Sequence, residues 1–210
     1  LFEASGLKYE GVDLGNIGME AIYLPKEGGE HYANAYISAN GTEVMECEGT
    51  YRDTEGGLFT GNISLHDFPL AMLNGFMAGT DMGLRGKAGG HLTVEGSIER
   101  PAINGALNFD SAHLYSDVYG FDFTMDRRPI EIKDNRMQFD NFGLYSSNAD
   151  NPLVMNGKLD FADFSRITLD FNMKANDFEL ITAKRKRQSL VYGKVFANYN
   201  GTLRGTMDNL

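Results

Sequence analysis

Two-residue alternation of apolar and polar side chains runs through most of this chain, and no other feature of the sequence restricts its fold as strongly. The longest run places Ile167, Leu169, Phe171, Met173 and Ala175 on one parity. The same period carries Met19, Ala21 and Tyr23, then Ala33, Ala35 and Ile37, then Met45, Cys47, Gly49 and Tyr51, then Phe59, Gly61, Ile63 and Leu65. Further on, Leu92, Val94 and Ile98 share a parity, as do Ile103, Leu107 and Phe109. Phe121 and Phe123, Ile130 and Ile132, and Met137 and Phe139 follow, with Leu153, Met155, Gly157, Leu159 and Phe161 behind them. Successive strand residues point to opposite faces, so the pattern predicts an antiparallel sheet with one apolar and one wet face. Turn chemistry in "PKEGGE", "SANGTE", "DTEGG", "DRRP", "KDNR" and "SSNADNP" recurs about every 8–12 residues, the rhythm of an all-β protein.

One segment departs from the period. In "HDFPLAMLNGFMAGTDMG", Leu70, Leu73, Phe76 and Met77 fall at helical spacing, Asp67 suits an N-cap, Pro69 a first turn and Gly79 a stop. A short helix near 69–78 is expected, as an ordinary connection between strands, a plug at one end of an apolar interior or a cover across a sheet edge. It divides the chain into a strand segment at 1–66, a helical connector at 67–80 and a longer β-segment at 81–210. A second, weaker helical pattern covers 178–188. Among the Asn-Gly pairs, Asn40-Gly41 and Asn200-Gly201 are expected in hairpin turns, while Gly157 marks a bulge or bend because alternation continues through it. Asp134-Asn135, between Ile132 and Met137, reads as a tight turn.

Charge and residue usage exclude several functions. A net charge of −10 and a pI near 4.8 lack the basic footprint that a phosphate backbone requires, so nucleic acid is not an expected partner. No apolar run approaches the length of a membrane span, and the single Cys47 has no internal disulfide partner. The chain starts at Leu1 and ends in the strand-like "GTLRGTMDNL", which reads as a piece excised from a longer protein whose targeting segments lie outside it. Motifs for chemistry are lacking. The four histidines are scattered, and Asp110, His113 and Asp117 make a poor ligand trio on an exposed strand. Gly86-Lys87-Ala88 lacks the first glycine and the hydroxyl of a phosphate-binding loop, and no nucleophile elbow occurs. No catalytic residue, metal site or cofactor is expected. Lys184, Arg185, Lys186 and Arg187 form the one basic cluster, either a solvated turn or a contact for anionic lipid headgroups.

A sheet with one apolar face must cover that face with a second sheet or curl so that it looks at itself. Phe and Met are frequent on the apolar parity, which suits flexible acyl chains as well as an ordinary core. A strand of about seven residues spans roughly 23 Å, comparable to an extended acyl chain.

The run "GHLTVEGSIERPAINGALNFDSAHL" resembles the repeating strand unit of the TamB family, within the AsmA-like group of envelope proteins. Gly90, Leu92, Val94, Gly96, Pro101, Gly105, Leu107 and Phe109 match its G-x-L-x-V-x-G-x-x-x-x-P-x-x-x-G-x-L-x-F pattern. "IEIKDNRMQFDNFGLYSSNADNPLVMNGKLDFADF" is similar to the next unit of Bacteroidetes-type members, and "VYGKVFANYNGTLRGTMDNL" to the approach to their C-terminal domain. The likeness is good from about residue 60 onward and looser before it. It implies a long, curved, U-shaped sheet forming an open hydrophobic groove. The implied lining is Leu92, Val94, Ile98, Ile103, Leu107, Phe109, Phe121, Phe123, Ile130, Ile132, Met137, Phe139, Leu153, Met155, Leu159, Phe161, Ile167, Leu169, Phe171 and Met173. The resemblance further implies a periplasmic segment of a protein anchored in the inner membrane of a Gram-negative bacterium. Such a segment would pass phospholipid toward the outer membrane and support assembly there with a TamA/BamA-like barrel partner. Two other readings stay open: a structural or adhesive β-sandwich, and a chaperone-like module that adds its sheet edge to unfolded outer-membrane strands.

Overall fold

The computed structural model describes residues 1–9, 12–53, 57–77, 80–97, 100–146, 150–163, 165–183 and 192–206. Thirteen strands are formed: β1 (Phe2–Tyr9), β2 (Val12–Pro25), β3 (Glu30–Ala39), β4 (Thr42–Arg52), β5 (Leu58–Pro69), β6 (Gly83–Ser97), β7 (Arg100–Ser116), β8 (Phe121–Met125), β9 (Ile130–Lys133), β10 (Arg136–Tyr145), β11 (Leu153–Asp160), β12 (Thr168–Ala183) and β13 (Gly193–Thr206). All belong to one antiparallel sheet that follows chain order. The all-β architecture expected from the alternation is therefore present, and strands on either side of the connector pair directly, β5 with β6.

One lane of the sheet is split. Both β8 and β9 lie between β7 and β10 and run in the same direction, so together they occupy the place of a single strand. The "DRRP" stretch interrupts them. There the Asp126 carboxylate accepts the Arg128 N–H at 3.0 Å and the Arg128 guanidinium, whose other contacts are the carbonyls of Asp140 and Asn141 on β10. Burial pushes the Asp126 carboxyl up, but the Arg128 side chain and the N–H groups of Arg128 and Gly143 outweigh it and hold the group below the usual carboxylate range. At the other end of β9, Asp134 and Asn135 take positive φ (48° and 61°), the tight turn read from the sequence. Asn135 stitches this turn to β7: its Oδ1 accepts the Ile103 N–H at 2.6 Å, and its Nδ2 donates to the Pro101 carbonyl at 2.7 Å.

Bulges interrupt the ladders at Asp67, Asn141 and Asp177, each with positive φ. A bulge leaves a backbone donor without its ladder partner. Asparagines on neighbouring strands take two of these donors: Asn156 Oδ1 accepts the Asn141 N–H at 2.8 Å, and Asn198 Oδ1 that of Asp177 at 2.7 Å. The expected Asn40-Gly41 turn forms, with φ of 53° and 82° as a two-residue hairpin requires.

Four local expectations need correcting. Asn200 and Gly201 lie within β13, opposite Lys174 and Met173, because β12 is long enough to pair with them. Gly157 is paired on both sides and borders the bulge rather than forming it: the extra residue sits in β10, opposite Asn156. The pattern over 178–188 is strand as far as Ala183, where Phe178 and Ile181 pair with Ala197 and Val195. Asp67 is no N-cap. Its bulge lets β5 continue through Pro69, and its carboxylate meets Lys87 Nζ at 2.7 Å.

The helix itself is a 3-10 helix, Leu70–Met77, among the described residues the one helical element. Leu70 packs on Ala88 and Ala112 with Phe68, Leu84, Phe109 and Met125 around it. Asn74 clamps the backbone of Leu84 from both sides, donating to its carbonyl at 3.0 Å and accepting its N–H at 2.6 Å. The helix touches β6 and also β2, four places away in the sheet.

Candidate functional site

Register decides what shares a face. Cross-strand partners point the same way, so each ladder can be followed from strand to strand. From β2 to β13 one row reads Ala21, Ala35, Cys47, Ile63, Leu92, Gly105, Ile132, Met137, Leu159, Leu169 and Gly205. No polar side chain interrupts these eleven strands, unless the Cys47 thiol is counted. Burial and the neighbouring Glu46 push that thiol up, so it stays protonated. A parallel row holds Phe2, Met19, Ile37, Met45, Leu65, Gly90, Leu107 and Ile130. Ten strand spacings of about 4.8 Å make the first row roughly 48 Å long. The opposite face is polar, with Asn34, Glu48, Asn62, Thr93 and Asn104 in one ladder and Glu131, Gln138, Lys158, Asp170 and Arg204 in another.

The structure brings most of the expected lining onto this apolar face. Leu92, Val94, Ile103, Leu107, Phe109, Met137, Phe139, Leu153, Met155, Leu159, Leu169 and Met173 are half-buried there, as is Phe121 in β8. Phe123, Ile130, Ile132 and Phe171 are buried. Phe161 and Ile167 are half-buried just outside the ends of β11 and β12. Ile98 lies outside the described residues, and so does the whole cluster from Lys184 to Arg187. Of the trio weighed as ligands, His113 instead faces Asp122 of β8, Nδ1 to Oδ1 at 2.8 Å, beside Arg85.

Packing along the face is uneven. Around β8, β10 and the far end of β12, a closed core forms from Phe123, Ile130, Phe142, Leu144, Ala175 and Phe178. The rings of Phe123 and Phe178 lie 5.0 Å apart. Here β12 runs past the end of β11 and meets the turn before β8, where the Thr182 N–H donates to the Gly120 carbonyl at 3.2 Å. Toward β3–β6 the face carries smaller side chains instead. Ala33, Ala35, Cys47, Gly49, Gly61, Ile63 and Val94 border an apolar trough of about 210 Å³, and Phe59 lies across Gly49 and Gly61. Gly157 plays a related part: Phe139 and Phe171 flank it on neighbouring strands, and their rings meet edge to face at 5.1 Å.

The alternation already runs through β2–β5, but the lining implied by the family resemblance begins only at Leu92 and leaves these strands out. Sequence reasoning also missed Phe142, Leu144 and Phe178, which lie beyond bulges that shift the parity. The polar pairs Asp140-Asn141 and Asn176-Asp177 marked those shifts. Comparison with protein-family models, curated proteins and solved structures found no match to this chain.

Proposed function

We propose that this chain is a periplasmic, non-enzymatic segment of a TamB-like envelope protein, and that its apolar sheet face carries phospholipid acyl chains between the inner and outer membranes. The observation that carries the reading is the eleven-strand apolar row, backed by a polar face and only half-buried over much of its length. A face built as ordinary core would be closed by a second layer, since apolar area gains about 25 cal/mol per Å² on leaving water. The roughly 48 Å row exceeds the length of an acyl chain, which fills about half of a hydrocarbon core of about 30 Å. Binding of this kind uses area and shape, so it needs no activated side chain.

A groove requires curvature about the apolar side. The helix that touches both β2 and β6 supports it, as do the bulges, which bend strands and increase their twist. Transfer toward the outer membrane would involve a TamA/BamA-like barrel through the full-length protein, anchored in the inner membrane.

The test is extraction and mass spectrometry of lipid from natively purified protein. Co-purified phospholipid at near-stoichiometric amounts is expected. Lipid-free protein that also takes up none from vesicles would rule the reading out.

One observation favours a second reading. Among the described residues, β1 and β13 have no partner on their outer edges, and Phe2, Val195 and Phe196 are exposed there. An extended outer-membrane strand could add to such an edge. Protection of β13 amides from hydrogen exchange on mixing with unfolded barrel protein would distinguish edge addition from lipid carriage.

A further inference from the structure

On the polar face, Glu43 and Glu46 of β4 meet His66 of β5, with one ligand atom of each within 4.8 Å of the others. Residues three apart on a regular strand point to opposite faces. Here the register slips between Ile37 and Ser38, where Val44 has no partner of its own, and the slip turns Glu43 onto the side of Glu46. Glu46 is half-buried, while Glu43 and His66 are exposed. Elsewhere acids are commonly neutralised, as Glu30 is by Lys26 and Arg52, or Asp170 by Arg204. Among the described residues no lysine or arginine pairs with Glu43 or Glu46.

Asn34 of β3 adds an independent observation. It is 7% exposed, although it lies on the polar face. Its side chain is aimed into the cluster, with Nδ2 donating to Glu46 Oε1 at 3.1 Å, while its Oδ1 has no hydrogen-bond partner. An unsatisfied buried amide oxygen costs free energy, and Asn34 carries one at the border of a cluster whose two carboxylates have no lysine or arginine partner among the described residues.

We propose that Glu43, Glu46 and His66 form a binding site for one divalent transition-metal ion of the zinc class, with Asn34 orienting Glu46. An imidazole beside two carboxylates favours such ions over calcium or magnesium, which prefer oxygen alone. Three protein ligands leave room for water, and the ion would tie β4 to β5 on the face away from the apolar row.

Calorimetric titration of the whole chain with zinc chloride tests this. One zinc per chain is expected, with His66→Ala and Glu46→Gln each weakening binding by about tenfold or more, and the distant His31→Ala leaving it unchanged. Circular dichroism establishes that each variant is folded. Calcium should bind more weakly and be indifferent to His66→Ala. Absence of zinc binding, or zinc binding indifferent to His66→Ala and Glu46→Gln, overturns the site. Calcium held as tightly as zinc overturns the metal class.

Discussion

Truncating one side chain in the closed part of the apolar face and one in the open part should give unequal costs. Phe178 is 2% exposed and packed against Phe123, Phe142, Leu144 and Ala175. Its replacement by Ala removes a buried ring and leaves a cavity that its neighbours fill only in part, a loss of about 3–5 kcal/mol. Leu92 sits mid-row between Ile63 and Gly105 and is half-buried. A fully buried leucine contributes about 1.5–3 kcal/mol, so half of that burial makes Leu92→Ala cost about 1 kcal/mol. No cavity term is added, because solvent or lipid reaches the site. In a chain of this size a loss of 1 kcal/mol lowers the melting temperature by about 2–4 °C, so Phe178→Ala should shift it by roughly 6–20 °C and Leu92→Ala by only a few. Urea titration of delipidated protein, followed by circular dichroism, measures both losses. Equal losses at the two positions would refute the division into a closed core and an open face, since Leu92 would then be packed as tightly as Phe178.

Other expectations follow from single sites. Gly157 has φ +151°, and a Cβ there would run into the Asp170 carbonyl oxygen, so Gly157→Ala should cost about 2 kcal/mol or more in urea titration. Asp126 has a depressed carboxyl, so its contribution is complete above the ordinary carboxylate range and is lost as pH falls below about 4. Asp126→Asn should therefore be less stable than wild type near neutrality, with the gap narrowing in acid; a gap that widens in acid would refute the sign. Asn40→Ala removes both a residue tolerant of φ 53° and the Oδ1 that accepts the Asn16 N–H at 3.0 Å. It should destabilise the chain by about 1 kcal/mol in the same titration.

Alternation was readable wherever one strand faced water on one side and apolar neighbours on the other, as from Ile167 to Ala175. The signal is local, so it failed where the cause was not. Asp67 resembles an N-cap until its bulge opposite Gly89 is known, and Asn200-Gly201 resembles a turn until β12 supplies partners for both. Parity arguments also break at every bulge, which is why Phe142 and Phe178 escaped notice although Phe139 and Ala175 did not. Glu43 and His66 were invisible as neighbours for the same reason: the slip at Val44 brings a residue three positions from Glu46 onto its face. Ala35, Gly49 and Gly61 contribute depth to the apolar trough through what they lack, and hydrophobic periodicity registers side chains that are present.

The apolar row itself can be probed directly by photo-crosslinking. A photoreactive residue placed at Leu92, Leu107 or Leu159 should label phospholipid in intact cells or vesicles, while the same residue at Thr93 or Lys158, one position away on the polar face, should not. Labelling confined to the row positions is the predicted result. Equal labelling on both faces, or none at Leu92, Leu107 and Leu159, would contradict the account.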